Sequence, residues 1–304
     1  MGYDCIVCAK QVPDTQRITG EAMKEDGTVN RSALPAIFNP EDLNALEAAL
    51  EVREAHGGSV TLITMGPPAA AELLREALFR GADRAVLVTD RRAGASDTLA
   101  TSYILACAVR QFPFDIVFCG RQAIDGDTAQ VGPQMAEKLG VPQITYMEEL
   151  MALDGRTLRA RRNVGNGFEV VETSLPALVT VMETANTPRP AAARRIMKYK
   201  KARTPAEVAA QLAEQTGDGP DAEAVAADTA QRCRALTEKD LLIEQWDLDR
   251  IQADLTWCGR SGSPTKVHRI QFVVLTGGEH KEIPPTDDGI RGLVAELIED
   301  HTIG

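Results

Sequence analysis

Gly120-Arg-Gln-Ala-Ile-Asp-Gly-Asp-Thr-Ala-Gln-Val-Gly-Pro133 is the stretch whose residue types and spacing could hold a phosphorylated ligand. An apolar run, Asp115-Ile-Val-Phe-Cys119, precedes it and reads as a buried strand; a helical run, Gln134-Met-Ala-Glu-Lys-Leu139, follows. A strand opening through a polar, glycine-bearing loop into a helix start is where α/β sheets bind nucleotides. The carboxyl ends of the strands leave a crevice there, and the free N–H groups of a first helical turn favour phosphate oxygens. Gly120, Gly126 and Gly132 allow close backbone approach or positive φ, while Thr128 and Gln130 supply hydroxyl and amide groups. Asp125 and Asp127 would repel a phosphate, so they are expected to hold the loop's shape or to meet ribose or ring groups. The plainer alternative is an ordinary strand-to-helix connection capped by Asp and Thr; the loop's length and polarity favour binding.

Few residues suggest covalent chemistry. There is no Walker loop, no GxGxxG, and no evident Ser-His-Asp or Cys-His arrangement, so no catalytic residue is assigned. Cys5-Ile-Val-Cys8 has CxxC spacing but lies in an apparent strand, where residues three apart point to opposite faces and cannot share a metal. Cys107 and Cys119 occupy apolar runs, Cys233 and Cys258 are isolated, and His56, His268, His280 and His301 are scattered. Free thiols in a reducing compartment are the expectation, with no metal site. The net charge of −11 argues against nucleic acid or an anionic membrane surface as main partner. No apolar run is long enough to insert into a membrane, and Met1-Gly-Tyr-Asp-Cys-Ile-Val-Cys8 enters a strand without a basic leader, so a cytoplasmic location is expected.

The elements that must position the loop follow from periodicity. Asp4–Ala9 reads as a first strand, ended by Lys10-Gln-Val-Pro-Asp-Thr15, and residues 16–36 as an excursion or hairpin turning at Asp26-Gly27. Asn39-Pro-Glu-Asp42 starts a helix, with Asn39 as N-cap, Pro40 in the first turn, and Glu41 and Asp42 at the positive dipole end. Leu43, Leu46, Ala49, Leu50 and Val52 form its apolar stripe, and Gly57-Gly58 closes it. Ser59–Thr64 is a second strand ending at Met65-Gly66, followed by a helix from about Ala69 to Phe79. Ala85–Thr89 is a third strand, and Asp97-Thr-Leu-Ala-Thr101 opens another helix. Beyond the loop come a strand at Gln143–Tyr146, a hairpin pairing Glu149–Leu153 with Leu158–Arg162 across Asp154-Gly155, and strands at Glu169–Thr173 and Ala177–Met182. The alternation predicts an α/β fold with a mostly parallel, doubly wound sheet. The strand ends at Cys8-Ala9, Met65-Gly66 and Cys119-Gly120, with the Asn39 helix start beside them, should then share one crevice.

After Pro188 the composition changes. Arg189, Arg194, Arg195, Lys198, Lys200, Lys201 and Arg203 form a basic run that reads either as a solvated linker or as a docking segment for an acidic surface. Residues 204 to about 228 read as two short helices or a mobile insertion, within a 204–236 insertion to which no role is assigned. Asp240–Asp249 looks helical, Gly259–Thr265 is a polar loop, Gln271–Leu275 a strand, and Gly289–Asp300 a last helix; residues 237–304 are expected to form an arm on another subunit.

Several segments jointly resemble the electron transfer flavoprotein β subunit family: Ala9-Lys-Gln-Val-Pro-Asp14, Asn39-Pro-Glu-Asp42, Met65-Gly-Pro67, Gly81-Ala-Asp83, Asp97–Thr101, Gly120–Pro133, Asn186-Thr-Pro-Arg189 and Ile196-Met-Lys198. They keep the family's order and spacing across roughly residues 3–203. The resemblance implies a flavodoxin-like or adenine-nucleotide-hydrolase-like domain over 1–188 and a heterodimer with a larger α subunit carrying FAD. It implies cofactor binding at Cys8, Ala9, Asn39, Pro40, Glu41, Asp42, Met65, Gly66, Gly120, Arg121, Gln122, Ala123, Ile124, Asp125, Gly126, Asp127, Thr128, Ala129, Gln130 and Val131. The loop Asp125–Pro133 and the tail's Gly262-Ser-Pro-Thr265 resemble members that bifurcate electrons from NADH and hold a second FAD; the alternative ligand is a structural AMP. Partners implied are an acyl-CoA dehydrogenase-like or quinone oxidoreductase protein and, for bifurcation, ferredoxin or flavodoxin. Residues 189–203 correspond to the family's recognition loop, with Arg189, Ala193, Arg194, Arg195 and Lys198 as docking candidates. The loop's usual leucine is replaced here by Ala193 and its aromatic by Pro190, which puts the usual docking mode in doubt. A rival of another class is a stand-alone nucleotide-binding module.

Overall fold

The computed structural model describes residues 2–14, 34–216, 222–265 and 282–299. The chain starts with β1 (Tyr3–Cys8), β2 (Gln11–Pro13) and β3 (Ala36–Phe38), then α1 (Pro40–His56), β4 (Gly58–Met65), α2 (Ala71–Arg80), β5 (Arg84–Val88) and α3 (Thr98–Val109). β6 (Ile116–Gly120), α4 (Val131–Leu139), β7 (Gln143–Asp154), β8 (Thr157–Asn163), β9 (Phe168–Ser174) and β10 (Ala177–Val181) follow. Then come α5 (Ala193–Tyr199), α6 (Pro205–Thr216), α7 (Ala222–Thr237), β11 (Glu244–Trp246), α8 (Gly259–Gly262) and α9 (Asp287–Glu299).

Nine strands form one sheet in the order β11-β5-β4-β1-β6-β10-β7-β8-β9, parallel from β11 to β7 and antiparallel through β8 and β9. The buried faces follow from side-chain alternation along the strands. Cys5, Val7, Val60, Leu62 and Phe118 pack with Leu46 and Leu50 of α1 and Leu73 and Leu74 of α2 on one side. Ile6, Cys8, Ile63, Val117 and Cys119 pack with Ile104 and Leu105 of α3 and Met135 of α4 on the other. The expected doubly wound α/β sheet is therefore present, and Cys5 and Cys8 do lie on opposite faces. From β1 the chain winds outward through β4 and β5, then crosses back to place β6 on β1's other side. That reversal leaves a crevice at the carboxyl ends of β1 and β6.

Several local expectations change. Pro13 does not end pairing: Gln11–Pro13 forms a short antiparallel ribbon with Ala36–Phe38, an edge position that a residue without an N–H tolerates. The strand at Gln143 and the first arm of the hairpin are one strand, β7, bent at Tyr146 (φ 57°), whose N–H donates to Thr180 Oγ1 at 3.0 Å. The turn at Asp154-Gly155 is as expected, with Gly155 at φ 57°. Asp240–Asp249 is not a helix. Its centre, β11, pairs parallel to Val86–Val88, with Ile243 and Trp246 buried on opposite faces of the sheet and Trp246 stacked on Phe112 at 5.2 Å. An open sheet edge outcompetes local helical periodicity here.

The tail from Leu241 to Ser263 thus packs on its own chain, not solely as an arm reaching elsewhere, and Gly259–Gly262 is a helical turn within the expected loop. Of the two readings for residues 204 to about 228, the helical one fits: α6 and α7 pack together, with α7 running on to Thr237. The expected hairpin at Asp26-Gly27 and strand at Gln271–Leu275 lie outside the described residues.

Candidate functional site

The crevice contains a cavity of about 710 Å³, within the range of small-molecule sites. Its floor comes from three strand ends: Cys8 and Ala9 after β1, Met65 after β4, and Cys119 and Gly120 after β6. One wall is the polar loop, with Arg121, Gln122, Ala123, Gly126, Asp127, Thr128, Ala129 and Gln130 running into Val131 and Gly132 of α4. The opposite wall is the start of α3, with Ser96, Asp97, Thr98 and Thr101. First turns of both helices border one space, and each presents N–H groups that a helix cannot satisfy internally. That pairing suits the phosphates of a nucleotide.

Asp42 holds the floor together. Buried in the first turn of α1, it accepts from Lys10 N–H through Oδ2 at 2.8 Å and from Gly120 N–H through Oδ1 at 2.9 Å. The residues just beyond β1 and at the end of β6 are therefore tied to one carboxylate. Burial pushes Asp42 up to about 7, against the N–H bonds that favour its ionised form. Gly120 is glycine for the same reason: a Cβ there would overlap Asp42 Oδ1 and the α1 backbone. At Gly132 a Cβ would lie 2.7 Å from Thr180 Cγ2, so glycine lets α4 approach β10. At Gly126 a Cβ would meet nothing within 4 Å. None of these three glycines has positive φ; the left-handed residues of the loop are Asp127 (φ 48°) and Ala129 (φ 51°).

Asn39, Glu41 and Asp125 shape the loop from behind the wall. Asn39 stands at the N-cap of α1 as expected but makes no side-chain cap bond; its Nδ2 donates to Gln122 carbonyl at 2.8 Å and its Oδ1 accepts from Ile124 N–H at 3.1 Å. Glu41 accepts from Gln122 N–H at 2.8 Å and pairs with Arg121 at 2.8 Å; burial raises its pKa despite both contacts. Asp125 pairs with Lys10 at 2.7 Å and Asp127 accepts from Gln122 Nε2 at 3.1 Å. Pro40 opens α1, and Gly66 N–H donates to Val88 carbonyl. Asn39, Pro40, Glu41, Gly66, Ile124 and Asp125 are thus outside the pocket lining, whereas the other fourteen expected cofactor residues line it. Asn39→Ala should cost about 2 kcal/mol, since it orphans Gln122 carbonyl and Ile124 N–H. Urea unfolding measures the loss, and full retention of stability would mean water replaces the side chain.

Lys10 and the Ala93–Leu105 wall also line the pocket, with no cofactor role expected of them, as do Thr265 and the already noted strand end Cys119 and loop glycine Gly132. Asp97 organises this side. Its Oδ1 caps Ala100 N–H at 2.9 Å, while Oδ2 accepts from Thr265 N–H at 3.0 Å and its hydroxyl at 2.7 Å. Thr98 Oγ1 donates to Gln130 Oε1 at 2.8 Å, joining the two walls. Every βα connection of a parallel sheet emerges at one edge, so the β5–α3 connection could have been placed beside the loop from topology alone. Thr265 carries a signal only as the end of Gly262-Ser-Pro-Thr265, the tail motif of the family resemblance; its contact with Asp97 is not legible from local pattern.

The docking candidates lie elsewhere. Arg189 pairs with Glu47 at 2.9 Å and with Glu54, and Arg195 donates to the carbonyls of Leu78 and Ala82 at 2.6 and 2.5 Å. Both hold α5 onto α1 and α2. Ala193, Arg194 and Lys198 are exposed, with Met197 62% exposed among them.

A family model described as the electron transfer flavoprotein domain matches residues 26–210. The chain is 39% identical to an electron transfer flavoprotein subunit beta of Clostridium acetobutylicum over 298 residues, 98% of this chain and 99% of that one. It is 46% identical to the caffeyl-CoA reductase-Etf complex subunit CarD of Acetobacterium woodii over 301 residues, again 98% and 99%. Similarity to protein FixA of Bradyrhizobium diazoefficiens is 47% over 273 residues, 87% of this chain and 81% of that one.

Proposed function

The chain belongs to the electron transfer flavoprotein family, as a β subunit that works with an α subunit in electron transfer, and we propose that its pocket holds FAD. The observation that carries this reading is the cavity of about 710 Å³ at the β1/β6 reversal, bordered by the first turns of α3 and α4 and open beside Gly126. The residues fit such a ligand: helix N-termini for phosphates, Thr98, Thr128 and Gln130 for hydroxyl and amide contacts, and an apolar floor of Cys8, Met65 and Leu105. When bound, FAD supplies acceptance of hydride from NADH and delivery of the electrons to separate acceptors, one a ferredoxin or flavodoxin, the other reached through the α subunit. The chain's own residues bind and position. Asp42 aligns the two strand ends, Asn39 and Glu41 fix the loop's curvature, and the Thr98–Gln130 contact spans the walls. AMP is the second reading; it needs the same phosphate contacts but less of the space beside Gly126 and Ala129.

The similarity to a caffeyl-CoA reductase complex subunit favours an acyl-CoA reductase or dehydrogenase as the further partner. Exposed Ala193, Arg194 and Lys198 are the docking residues of this reading, since Arg189 and Arg195 serve the fold. Residues 282–299 are assigned to α-subunit contact: Ile290, Val294 and Ile298 repeat every four residues along α9 and are 56%, 42% and 52% exposed. Among the described residues no helix is long and apolar enough to cross a membrane, and a cytoplasmic place of work is proposed with this function.

Cofactor content of the co-expressed heterodimer tests the reading. Acid extraction and chromatography should return about two FAD per heterodimer, one from each subunit, with little AMP. One FAD and one AMP would replace it with the second reading.

A further inference from the structure

Cys8, the last residue of β1, lies beside Cys119, the last but one of β6. They are direct partners in the parallel register of β1 and β6, and both pack in the cluster on the α3/α4 face, so their side chains leave the sheet on the same side. Both also line the cavity. Adjacent strands lie about 4.7–4.9 Å apart, inside the Cα separation of about 4.4–6.8 Å that a disulfide spans. The neighbouring Cys8 thiol and burial push the Cys119 thiol well above the ordinary cysteine range. Cys5 faces the opposite side of the sheet, and Cys107 and Cys258 are buried away from the cavity lining.

We propose that Cys8 and Cys119 form an oxidisable dithiol in the floor of the pocket, which a peroxide reaches only through the space a nucleotide occupies. In the first step the Cys8 sulfur attacks one peroxide oxygen and the O–O bond breaks. Water leaves and Cys8 becomes a sulfenic acid. The Cys119 sulfur then attacks Cys8 sulfur; the S–O bond breaks, and the departing hydroxide takes the Cys119 proton as a second water. Two thiols and one peroxide thus give one disulfide and two waters. The bridge would join the residues just before Ala9 and Gly120, on either side of the reversal point. Gating by a nucleotide rests on the proposed function; the dithiol itself does not.

The test is peptide mapping of the co-expressed heterodimer exposed to hydrogen peroxide, with its nucleotide retained, removed, or removed and restored. The expected result is a peptide linked through Cys8 and Cys119, reversed by dithiothreitol. Restoring nucleotide at about ten times its Kd should slow its formation roughly tenfold. Alkylation of Cys107 and Cys258 should not respond to nucleotide. No linked peptide in the stripped protein overturns the dithiol. Equal linking with and without nucleotide, in samples whose extracts show the site filled, overturns the gating. If the extracts yield no nucleotide from the β subunit but the link forms, the cofactor reading fails and the dithiol stands.

Discussion

Asp42→Ala is expected to destabilise the chain by about 2–6 kcal/mol and to abolish nucleotide retention, the largest loss of any single change at the site. The substitution leaves Lys10 and Gly120 N–H without acceptors in a buried place, at about 1–3 kcal/mol each. Binding fails with stability because those N–H groups lie where β1 and β6 give way to the pocket walls. Asp42→Asn keeps the shape but turns an amide nitrogen toward one of the donors, so an intermediate loss is expected. The two variants also separate in pH dependence. Asp42 has a folded pKa of about 7, above an unfolded value of about 3.9. Between those limits the folded chain binds the proton and the unfolded chain does not, so this group's contribution to stability declines as pH rises from about 4 to about 7. Urea unfolding across that window should show the decline in the parent protein and not in Asp42→Asn. A decline that survives the substitution would assign it to another group.

The central features of this site were legible because they obey local or topological rules. A glycine-bearing polar loop between a buried strand and a helix marks Gly120–Val131, and the Pro-acidic helix start at Asn39–Asp42 marks an element beside it, whose cofactor role only the family resemblance implies. Their chemical roles were less legible. Asn39 has the type and position of an N-cap, yet its side chain reaches Gln122 and Ile124, more than 80 residues away. Gly120 and Gly132 are required by close packing rather than by φ, and packing partners such as Asp42 and Thr180 are invisible to local pattern. The positive φ values expected of glycine fall on Asp127 and Ala129 instead. β11 went unseen because its stabilisation comes from pairing with β5, an edge contact across more than 150 residues. The same long return brings Thr265 to Asp97.

Gly126→Leu is expected to leave the fold intact while reducing FAD uptake at least tenfold relative to AMP. Position 126 has no neighbour within 4 Å of a built Cβ and no left-handed φ, so the protein itself makes no objection to a side chain there. Changes at such sites usually alter stability by about 0.5 kcal/mol or less. The same residue borders the cavity, so the added butyl group competes with whatever extends beyond the adenosine and phosphates. A tenfold selective loss corresponds to about 1.4 kcal/mol, a modest demand on a steric overlap. Parallel titrations of stripped heterodimer with FAD and AMP measure it. Loss of both ligands alike would place the adenosine end beside Gly126. Loss of neither would mean that the ring system lies elsewhere in the cavity, removing the steric argument for FAD and leaving the extracted cofactor to decide between the two readings.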